Sequence, residues 1–370
     1  MRRQSVRLPA DEPKSTCTGW GGLALAAERR ALPAPRGPMS AGSPNKPDRN
    51  LALELVRVTE AAALAAAREI GRGDKERADQ AAVDAMRQVL ETVSMDGIVV
   101  IGEGEKDEAP MLYNGERIGA GTPPQVDVAV DPLEGTRLTA LGMPNAVAVI
   151  ALSERGTMFD PGPIVYMEKI AGGPEIADLL DLDRPLGETL GLIAERKQTD
   201  IRDVMVVMLD RERHHDAMRQ VREAGARVRL ITDGDIAASL LAVSENSPVD
   251  LLWGIGGTPE GVISAAAIKC IGGRLLGRLW PRNDEESTAA RDAGYDLTKI
   301  LTQDDLVAGE DAFFSATGVT DGDVLQGVRY QGDRGASTES LVMRSRSGTV
   351  RRISARHDRT KMRALGISYS

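Results

Sequence analysis

The second half of the chain alternates strands and helices in the order that builds an α/β sheet. Apolar runs predict three short buried strands, at residues 204–209, 227–231 and 250–253. A helical pattern follows each of them, at residues 212–224, 235–243 and 258–270. Because strand-helix-strand units lay their strands side by side in one direction, this rhythm predicts an α/β fold with a mainly parallel sheet.

The first half predicts two helices and then several strands. Apolar residues at helical spacing predict one helix that ends near Gly71 and a second over residues 75–93. Short apolar runs predict strands at residues 97–101, 126–130, 146–152 and 164–170. Near the end of the chain, residues 341–346 and 349–354 flank Ser347-Gly348 and predict a hairpin.

Residues 1–48 differ from the rest of the chain. They contain seven prolines with Arg and Ser between them, and they show no apolar periodicity. This composition predicts a disordered extension. Met39 offers a second translation start, so we hypothesise that the first 38 residues are not made in the cell. A peptide from residues 5–30 in the native protein would refute that hypothesis.

We therefore expect four parts in the chain. They are the disordered extension 1–48, an α+β half over residues 49–185, an α/β half with the hairpin over residues 186–360, and a tail over residues 361–370.

Charge and rare residues narrow the classes of function. A net charge of −9 argues against nucleic acid or an anionic membrane surface as the main partner. Two cysteines and three histidines are too few for a disulfide framework, a Cys-based zinc site or an imidazole-rich site. A bound metal would then be held by carboxylates, which favours Mg²⁺ or Mn²⁺. No apolar run reaches the roughly 18 residues of a membrane span, and we expect a cytoplasmic protein.

The most informative motif follows the strand predicted at residues 126–130. Asp131 and Glu134 stand three apart around Pro132, and Gly135-Thr136 come next. Carboxylates at a strand end suit a divalent metal. A helix beginning at Gly135 would point free N–H groups at an anion, and the Thr136 hydroxyl could orient a water molecule. A simple N-cap role for Thr136 is about as well supported by the sequence alone.

Three more carboxylates stand where they could complete a metal site. Glu103 lies between two glycines after the strand 97–101, Asp79 lies in the helix 75–93, and Glu260 opens the helix 258–270. For Asp79 the sequence pattern alone gives little, and for Glu260 helix capping is a fair alternative.

The strand ends of the second half carry candidate substrate ligands. Arg211 and Arg213 follow strand 204–209 and could clamp a phosphate, although a solvated helix start explains them slightly better. Asp233-Gly234-Asp235 could bind sugar hydroxyls or cap a helix. Residues 254–261 are rich in glycine and resemble a phosphate-cradling loop, but they lack the spacing of a dinucleotide fingerprint and the Lys of a P-loop.

Together these motifs resemble class II fructose-1,6-bisphosphatase, within the lithium-sensitive sugar and inositol phosphatase superfamily. The likeness runs from about Arg49 to about His357. The matching stretches are Gly71-Arg72-Gly73-Asp74-Lys75, Ile101-Gly102-Glu103-Gly104-Glu105, Asp131-Pro132-Leu133-Glu134-Gly135-Thr136, Tyr166-Met167-Glu168-Lys169, Asp233-Gly234-Asp235, Gly254-Ile255-Gly256-Gly257-Thr258-Pro259-Glu260-Gly261 and Phe314-Ser315-Ala316-Thr317-Gly318.

The resemblance implies a layered αβαβα sugar-phosphatase fold, with a mixed N-terminal sheet and a mainly parallel C-terminal sheet. It makes residues 49–185 the metal-binding half and residues 186–360 the substrate-binding half. It implies that Mg²⁺ or Mn²⁺ is held by Asp79, Glu103, Asp131, Glu134 and Glu260. It implies Thr136 as the catalytic residue. It implies substrate contacts from Glu134, Gly135, Thr136, Tyr166, Arg211, Glu212, Arg213, Asp233, Gly234, Asp235 and Gly257.

One segment departs from the family pattern. Where the family has a basic residue, Pro, Arg and His, this chain reads Arg211-Glu212-Arg213-His214-His215. Arg211 and Arg213 are the expected counterparts, with His214 as the competing residue.

The expected reaction is hydrolysis of the 1-phosphate of fructose 1,6-bisphosphate, in gluconeogenesis. The alternatives are a sedoheptulose-1,7-bisphosphatase, an inositol monophosphatase-like activity, or a non-catalytic sugar-phosphate sensor. The expected partner is a small sugar bisphosphate. A homo-oligomer is also expected, although a buried core explains the Ala-rich helices equally well.

Overall fold

A computed structural model describes residues 51–104, 111–332, 335–358 and 360–361. The extension predicted at residues 1–48 and nearly all of the tail predicted at residues 361–370 lie outside the described residues. The described residues all belong to one compact unit.

The described residues form nine α-helices and fourteen β-strands. The helices are α1 Ala52–Ala66, α2 Lys75–Leu90, α3 Thr136–Leu141, α4 Leu186–Arg196, α5 His215–Glu223, α6 Asp235–Val243, α7 Thr258–Ile271, α8 Asp284–Asp292 and α9 Gln303–Leu306. The strands are β1 Asp96–Ile101, β2 Arg117–Ile118, β3 Gln125–Glu134, β4 Val147–Glu154, β5 Tyr166–Gly172, β6 Met205–Leu209, β7 Arg227–Ile231, β8 Leu251–Gly257, β9 Arg274–Leu279, β10 Leu301–Thr302, β11 Phe313–Gly318, β12 Arg329–Tyr330, β13 Ala336–Arg344 and β14 Thr349–His357. None of these helices combines the length and apolar character that crossing a membrane requires.

The first sheet is mixed, as predicted. Its order is β12-β13-β11-β4-β3-β1-β2, and β14 pairs with β13. β1 and β3 are parallel, whereas the other pairs are antiparallel. The predicted hairpin is present and longer than expected, because β13 and β14 pair along their full length from Ala336↔His357 to Arg344↔Thr349.

The second sheet is also mixed, so the prediction of a mainly parallel C-terminal sheet is wrong. Its order is β10-β9-β5-β8-β6-β7, with parallel pairing only between β6 and β7 and between β6 and β8. The physical reason is that β5, from the first half of the chain, inserts antiparallel between β8 and β9. The βαβ rhythm correctly predicted the common direction of β6, β7 and β8, but it could not predict the inserted strand. In the same way, β11, β13 and β14 return from the second half to the first sheet.

Three apolar clusters pack against the two sheets: one lies between the sheets, and each of the other two lies on the far face of one sheet. Alternate residues of β3 and β4 face either α1 and α2 or a central cluster, as Val128 and Ala129 illustrate. The central cluster also contains α6 and α7 and the facing side of the second sheet. Helices α4 and α5 cover the other side of the second sheet, where Ile170 and Val206 lie. Helices α6 and α7 therefore pack between the two sheets, and their N-termini mark where the two sheets meet the candidate site.

Candidate active site

A single cavity collects most of the residues predicted from the sequence. It has a volume of about 470 Å³. The predicted residues that line it are Asp79, Glu103, Asp131, Glu134, Gly135, Thr136, Tyr166, Arg211, Asp233, Gly234, Asp235, Gly257 and Glu260. Glu212 and Arg213 do not line it.

The topology explains this convergence. The carboxyl ends of β1 and β3 open onto the cavity from the first sheet, and those of β6, β7 and β8 open onto it from the second. Tyr166 begins β5, which runs antiparallel to β8 and pairs Tyr166 with Gly257. Open α/β sheets bind ligands at the carboxyl ends of their strands, and this cavity lies at such an edge.

The Asp131–Thr136 segment is shaped by an irregularity in β3. Asp131 pairs with Val149 and Glu134 with Val147, so the register between β3 and β4 shifts within the motif. Pro132 stands in this interval, where no ladder donor is needed. Gly135 follows with φ 89°, and a Cβ there would lie 2.9 Å from the Cδ1 atom of Leu138. Glycine therefore permits the abrupt turn that leads from the two carboxylates to Thr136.

Glu134 joins the first sheet to helix α6. Its Oε1 atom accepts a hydrogen bond from the Ile236 N–H at 2.5 Å, and its Oε2 atom accepts one from the Ala237 N–H at 3.2 Å. Burial raises the pKa of Glu134 to about 8, although these two N–H groups act in the opposite direction. A predicted metal ligand is thus also the cap of a helix from the other half of the chain.

The other predicted metal ligands are mutually repelling, desolvated carboxylates. Burial raises the pKa of Glu103 to about 7, and the charge of Asp79 adds to this effect. Burial raises the pKa of Asp131 well above its usual value, and the charges of Glu134, Glu103, Glu260 and Asp79 raise it further. Burial also raises the pKa values of Asp79 and Glu260. A nearby cation would relieve these shifts, because it favours the ionised forms.

These carboxylates suit a hard divalent cation. Among the described residues, no three acidic, imidazole or thiol groups converge closely enough to enclose an ion. The five carboxylates nevertheless line one cavity, and burial raises the pKa of each of them, so they need positive charge nearby if they are to be ionised together. An all-oxygen donor set of this kind fits Mg²⁺ or Mn²⁺ and does not favour zinc.

The glycines of β8 allow a close approach between charged groups. Residues 254–257 belong to the strand rather than to the predicted loop, and α7 begins directly at Thr258. A Cβ at Gly257 would lie 1.7 Å from the Oε2 atom of Glu260. Gly257 thus leaves room for the Glu260 carboxylate beside the strand.

Lys169 is a buried part of the site that the sequence interpretation missed. Its side chain is 1% exposed and forms an ion pair with Asp235. The Nζ atom also donates to the Gly257 carbonyl oxygen at 3.1 Å, and its charge opposes the raised pKa of Glu260. The available signal was alternation along β5, because Lys169 shares a face with the buried Met167 and Ala171.

The Arg211–His215 segment separates into distinct roles. Arg211 lines the cavity, whereas the guanidinium carbon of Arg213 lies 4.9 Å from the centre of the Tyr166 ring. Arg213 also donates two hydrogen bonds to the Ile255 carbonyl oxygen, and Glu212 is exposed.

His214, the competing residue, is fully buried in the protein. Its Nε2 atom accepts from the Ile255 N–H at 2.8 Å, so the Nδ1–H donates to the Leu209 carbonyl oxygen, also at 2.8 Å. Burial lowers its pKa and keeps the ring neutral. His214 therefore links the ends of β6 and β8 and does not line the cavity.

Comparison with known proteins decides the family. A family model described as bacterial fructose-1,6-bisphosphatase, glpX-encoded, matches residues 49–357. The chain belongs to this class II fructose-1,6-bisphosphatase family. It is 44% identical over 345 residues to a class 2 D-fructose 1,6-bisphosphatase/sedoheptulose 1,7-bisphosphatase of Synechococcus sp. (strain JA-2-3B'a(2-13)), covering 86% of this chain and 99% of the relative. It is also 44% identical over 322 residues to the class 2 fructose-1,6-bisphosphatase 1 of Escherichia coli (strain K12), covering 84% of this chain and 95% of the relative.

Proposed function

We propose that this protein hydrolyses the 1-phosphate of fructose 1,6-bisphosphate and releases fructose 6-phosphate and inorganic phosphate. The observation that carries the proposal is one cavity in which five desolvated carboxylates face Arg211, Tyr166 and the Asp233–Asp235 segment. Family membership supports the same activity, since both relatives described above are named fructose bisphosphatases.

The cofactor we propose is Mg²⁺ or Mn²⁺, held by Asp79, Glu103, Asp131, Glu134 and Glu260. When bound, such an ion supplies Lewis-acid stabilisation for the negative charge on the phosphoryl oxygens. Four of these ligands come from residues 49–185 and one from residues 186–360. We therefore propose residues 49–185 as the metal-binding half and residues 186–360 as the substrate-binding half.

The remaining steps belong to side chains and backbone of this chain. The Thr136 hydroxyl orients the attacking water toward the 1-phosphate, and the N–H groups of the Gly135-Thr136 turn donate to that phosphate. Arg211 binds the distal phosphate, while Asp233 and Asp235 accept hydrogen bonds from sugar hydroxyls. Tyr166 packs beside the sugar at the mouth of the cavity, with Arg213 stacked on its ring.

The packing of helices on both sides of each sheet supports a finer structural proposal. We propose an αβαβα arrangement whose successive layers are α1 and α2, the first sheet, α6 and α7, the second sheet, and α4 and α5; the three apolar clusters support it. We propose on this basis that the fold belongs to the lithium-sensitive sugar and inositol phosphatase superfamily. A cytoplasmic, gluconeogenic role and a homo-oligomeric state are further parts of the proposal.

Sedoheptulose 1,7-bisphosphate is a second candidate substrate, because two relatives at 44% identity carry both substrates in their names. An inositol monophosphatase-like activity is less favoured, since Arg211 offers a second phosphate-binding group. A non-catalytic sensor is also less favoured, because each of the five predicted carboxylates lines the cavity.

The test is a phosphate-release assay with the purified full chain. Fructose 1,6-bisphosphate, sedoheptulose 1,7-bisphosphate and inositol 1-phosphate are each offered with Mg²⁺, with Mn²⁺ and with a chelator. We expect metal-dependent release that is fastest from fructose 1,6-bisphosphate. Asp131→Asn should abolish it, which excludes a contaminating phosphatase, and Asp292→Asn on the exposed surface of α8 should not change it. No release from any substrate with either metal would favour the sensor.

A further inference from the structure

The charge lining the cavity is unbalanced. The lining carboxylates are Asp79, Glu103, Asp131, Glu134, Asp233, Asp235 and Glu260. The lining guanidinium groups are Arg137 and Arg211. A phosphate monoester carries a charge of about −1.5 to −2 at neutral pH, so a bisphosphate needs a cationic group near each end in addition to metal ions at the carboxylates.

Arg211 is largely engaged by its own surroundings. Its Nη2 atom donates to the Thr232 carbonyl oxygen at 2.7 Å and to Asp233 Oδ1 at 3.1 Å. Its Nη1 atom donates to the Asp210 carbonyl oxygen at 2.9 Å. These contacts fix the side chain beside the Asp233–Asp235 segment, which places it on the sugar and distal-phosphate side of the cavity.

Arg137 is in a different situation. It lines the cavity and is exposed, and its side chain makes no hydrogen bond or ion pair with any residue that the structure describes. It directly follows Thr136 in the first turn of α3. An arginine whose whole fork of donors is available can bind two phosphate oxygens at once. Its position beside Gly135-Thr136 puts that fork on the side of the reacting phosphate.

We infer that Arg137 binds the phosphate that is hydrolysed, as a substrate contact in addition to Gly135 and Thr136. This inference rests on the proposed function. Arg137 donates to two non-bridging oxygens of the reacting phosphate and balances the charge that grows there during attack. Arg211 then serves the distal phosphate, so the two cations of the cavity serve the two ends of one bisphosphate.

The test compares ligands that carry one phosphate or the other. Fructose 6-phosphate retains only the distal phosphate, and inorganic phosphate represents the one that leaves. With Arg137→Ala, we expect kcat/KM for fructose 1,6-bisphosphate to fall about 10- to 100-fold, which is the range for a charged hydrogen bond. Inhibition by inorganic phosphate should weaken by about 10-fold or more. The affinity for fructose 6-phosphate, measured by calorimetry with Mg²⁺ present, should remain within about 2-fold of wild type, because no charged contact is lost.

Two further variants serve as controls. Arg222→Ala removes another exposed arginine, at the end of α5 and away from the cavity, and should leave all three values unchanged. Arg137→Lys keeps the positive charge but loses the bidentate guanidinium, so its loss of kcat/KM and of phosphate inhibition should lie between those of wild type and Arg137→Ala. This variant preserves the comparison if the alanine variant folds poorly.

Several results would overturn the inference. Unchanged kcat/KM in Arg137→Ala is one, and a parallel loss of fructose 6-phosphate affinity is another, since it would assign Arg137 to the distal phosphate. A wild-type protein without bisphosphatase activity would instead overturn the proposed function. In that case the affinities of the wild-type protein and of Arg137→Ala for inorganic phosphate are compared. Weaker binding by Arg137→Ala would still show that Arg137 binds phosphate, and equal binding would show that it does not.

Discussion

The buried carboxylates make the metal-free protein sensitive to alkaline pH, and the sign and size of this effect follow from the structure. The folded-state pKa is about 7 for Glu103 and about 8 for Glu134, whereas both are about 4.3 in an unfolded chain. Above pH 7 the unfolded chain has lost these protons and the folded protein retains part of them. The folded state therefore binds more protons, and its free energy of unfolding falls as pH rises.

The expected magnitude comes from integrating proton binding from pH 7 to 8.5. Glu134 loses most of its proton across that window, and Glu103 loses the part of its proton that it still holds at pH 7. These two groups alone lower the free energy of unfolding by about 1–2 kcal/mol. For a chain of this size the apparent melting temperature should fall by about 1–3 °C. His214 does not contribute, because its pKa is lowered and both states are neutral above pH 7.

The assay is thermal unfolding of the full chain, first with a chelator and then with saturating Mg²⁺ or Mn²⁺. A bound cation keeps the carboxylates ionised, so the metal should raise the melting temperature most at pH 8.5 and remove the alkaline decline. Contributions from groups remote from the cavity, such as the Cys270 thiol, are the same with and without metal and cancel in this comparison.

Matched variants localise the effect. Glu103→Gln and Glu134→Gln should each flatten the metal-free pH dependence, whereas Glu195→Gln on the exposed surface of α4 should not alter it. A metal-free protein whose melting temperature holds steady or rises from pH 7 to 8.5 would refute the view that these buried carboxyl groups retain protons.

Three other substitutions test parts of the site. Thr136→Ala should lower kcat far more than it changes KM, and near-normal turnover would contradict its role in orienting water. Lys169→Met leaves the buried Asp235 without its partner and should lower the free energy of unfolding by about 3 kcal/mol; the double change with Asp235→Asn should recover much of that loss in a denaturant titration. His214→Phe leaves one buried N–H and one carbonyl unpaired, at a cost of about 2–5 kcal/mol. It should also abolish the acid-side loss of wild-type stability below about pH 6.5 that protonation of this ring causes, and denaturation curves at pH 5.5 and 7.5 would show both effects.

Local signals explain why much of the fold and site was predictable. The helices α2, α6 and α7 and the strands β6, β7 and β8 follow the apolar periodicity closely, because burial of one face dictates the pattern. The motif from Asp131 to Thr136 was also readable, since Pro132 and Gly135 impose backbone geometry that depends little on distant contacts.

Other features depend on tertiary partners and were not predictable from local pattern. The insertion of β5 between β8 and β9 follows from long-range strand pairing, so a parallel sheet was predicted where a mixed one forms. Arg213 and His214 adjoin Arg211 in sequence, yet both bond to the backbone of Ile255 in β8. Their contacts exist only because β8 lies beside them, and the local sequence does not encode that neighbour.

The position of Glu134 connects the proposed metal-binding residues to the proposed substrate-binding residues. Its carboxylate ends a strand of the first sheet, yet its oxygens accept the first free N–H groups of α6. Helix α6 begins where the Asp233–Asp235 segment ends, so a shift of β3 would also move Asp233 and Asp235. Lys169 makes the complementary link, because it holds Asp235 by an ion pair and the strand of Gly257 by a hydrogen bond. Hydrogen bonds and an ion pair therefore connect the proposed metal ligands to the proposed sugar ligands. A substrate that contacts both groups of ligands can then be bound with its reacting phosphate in a fixed position.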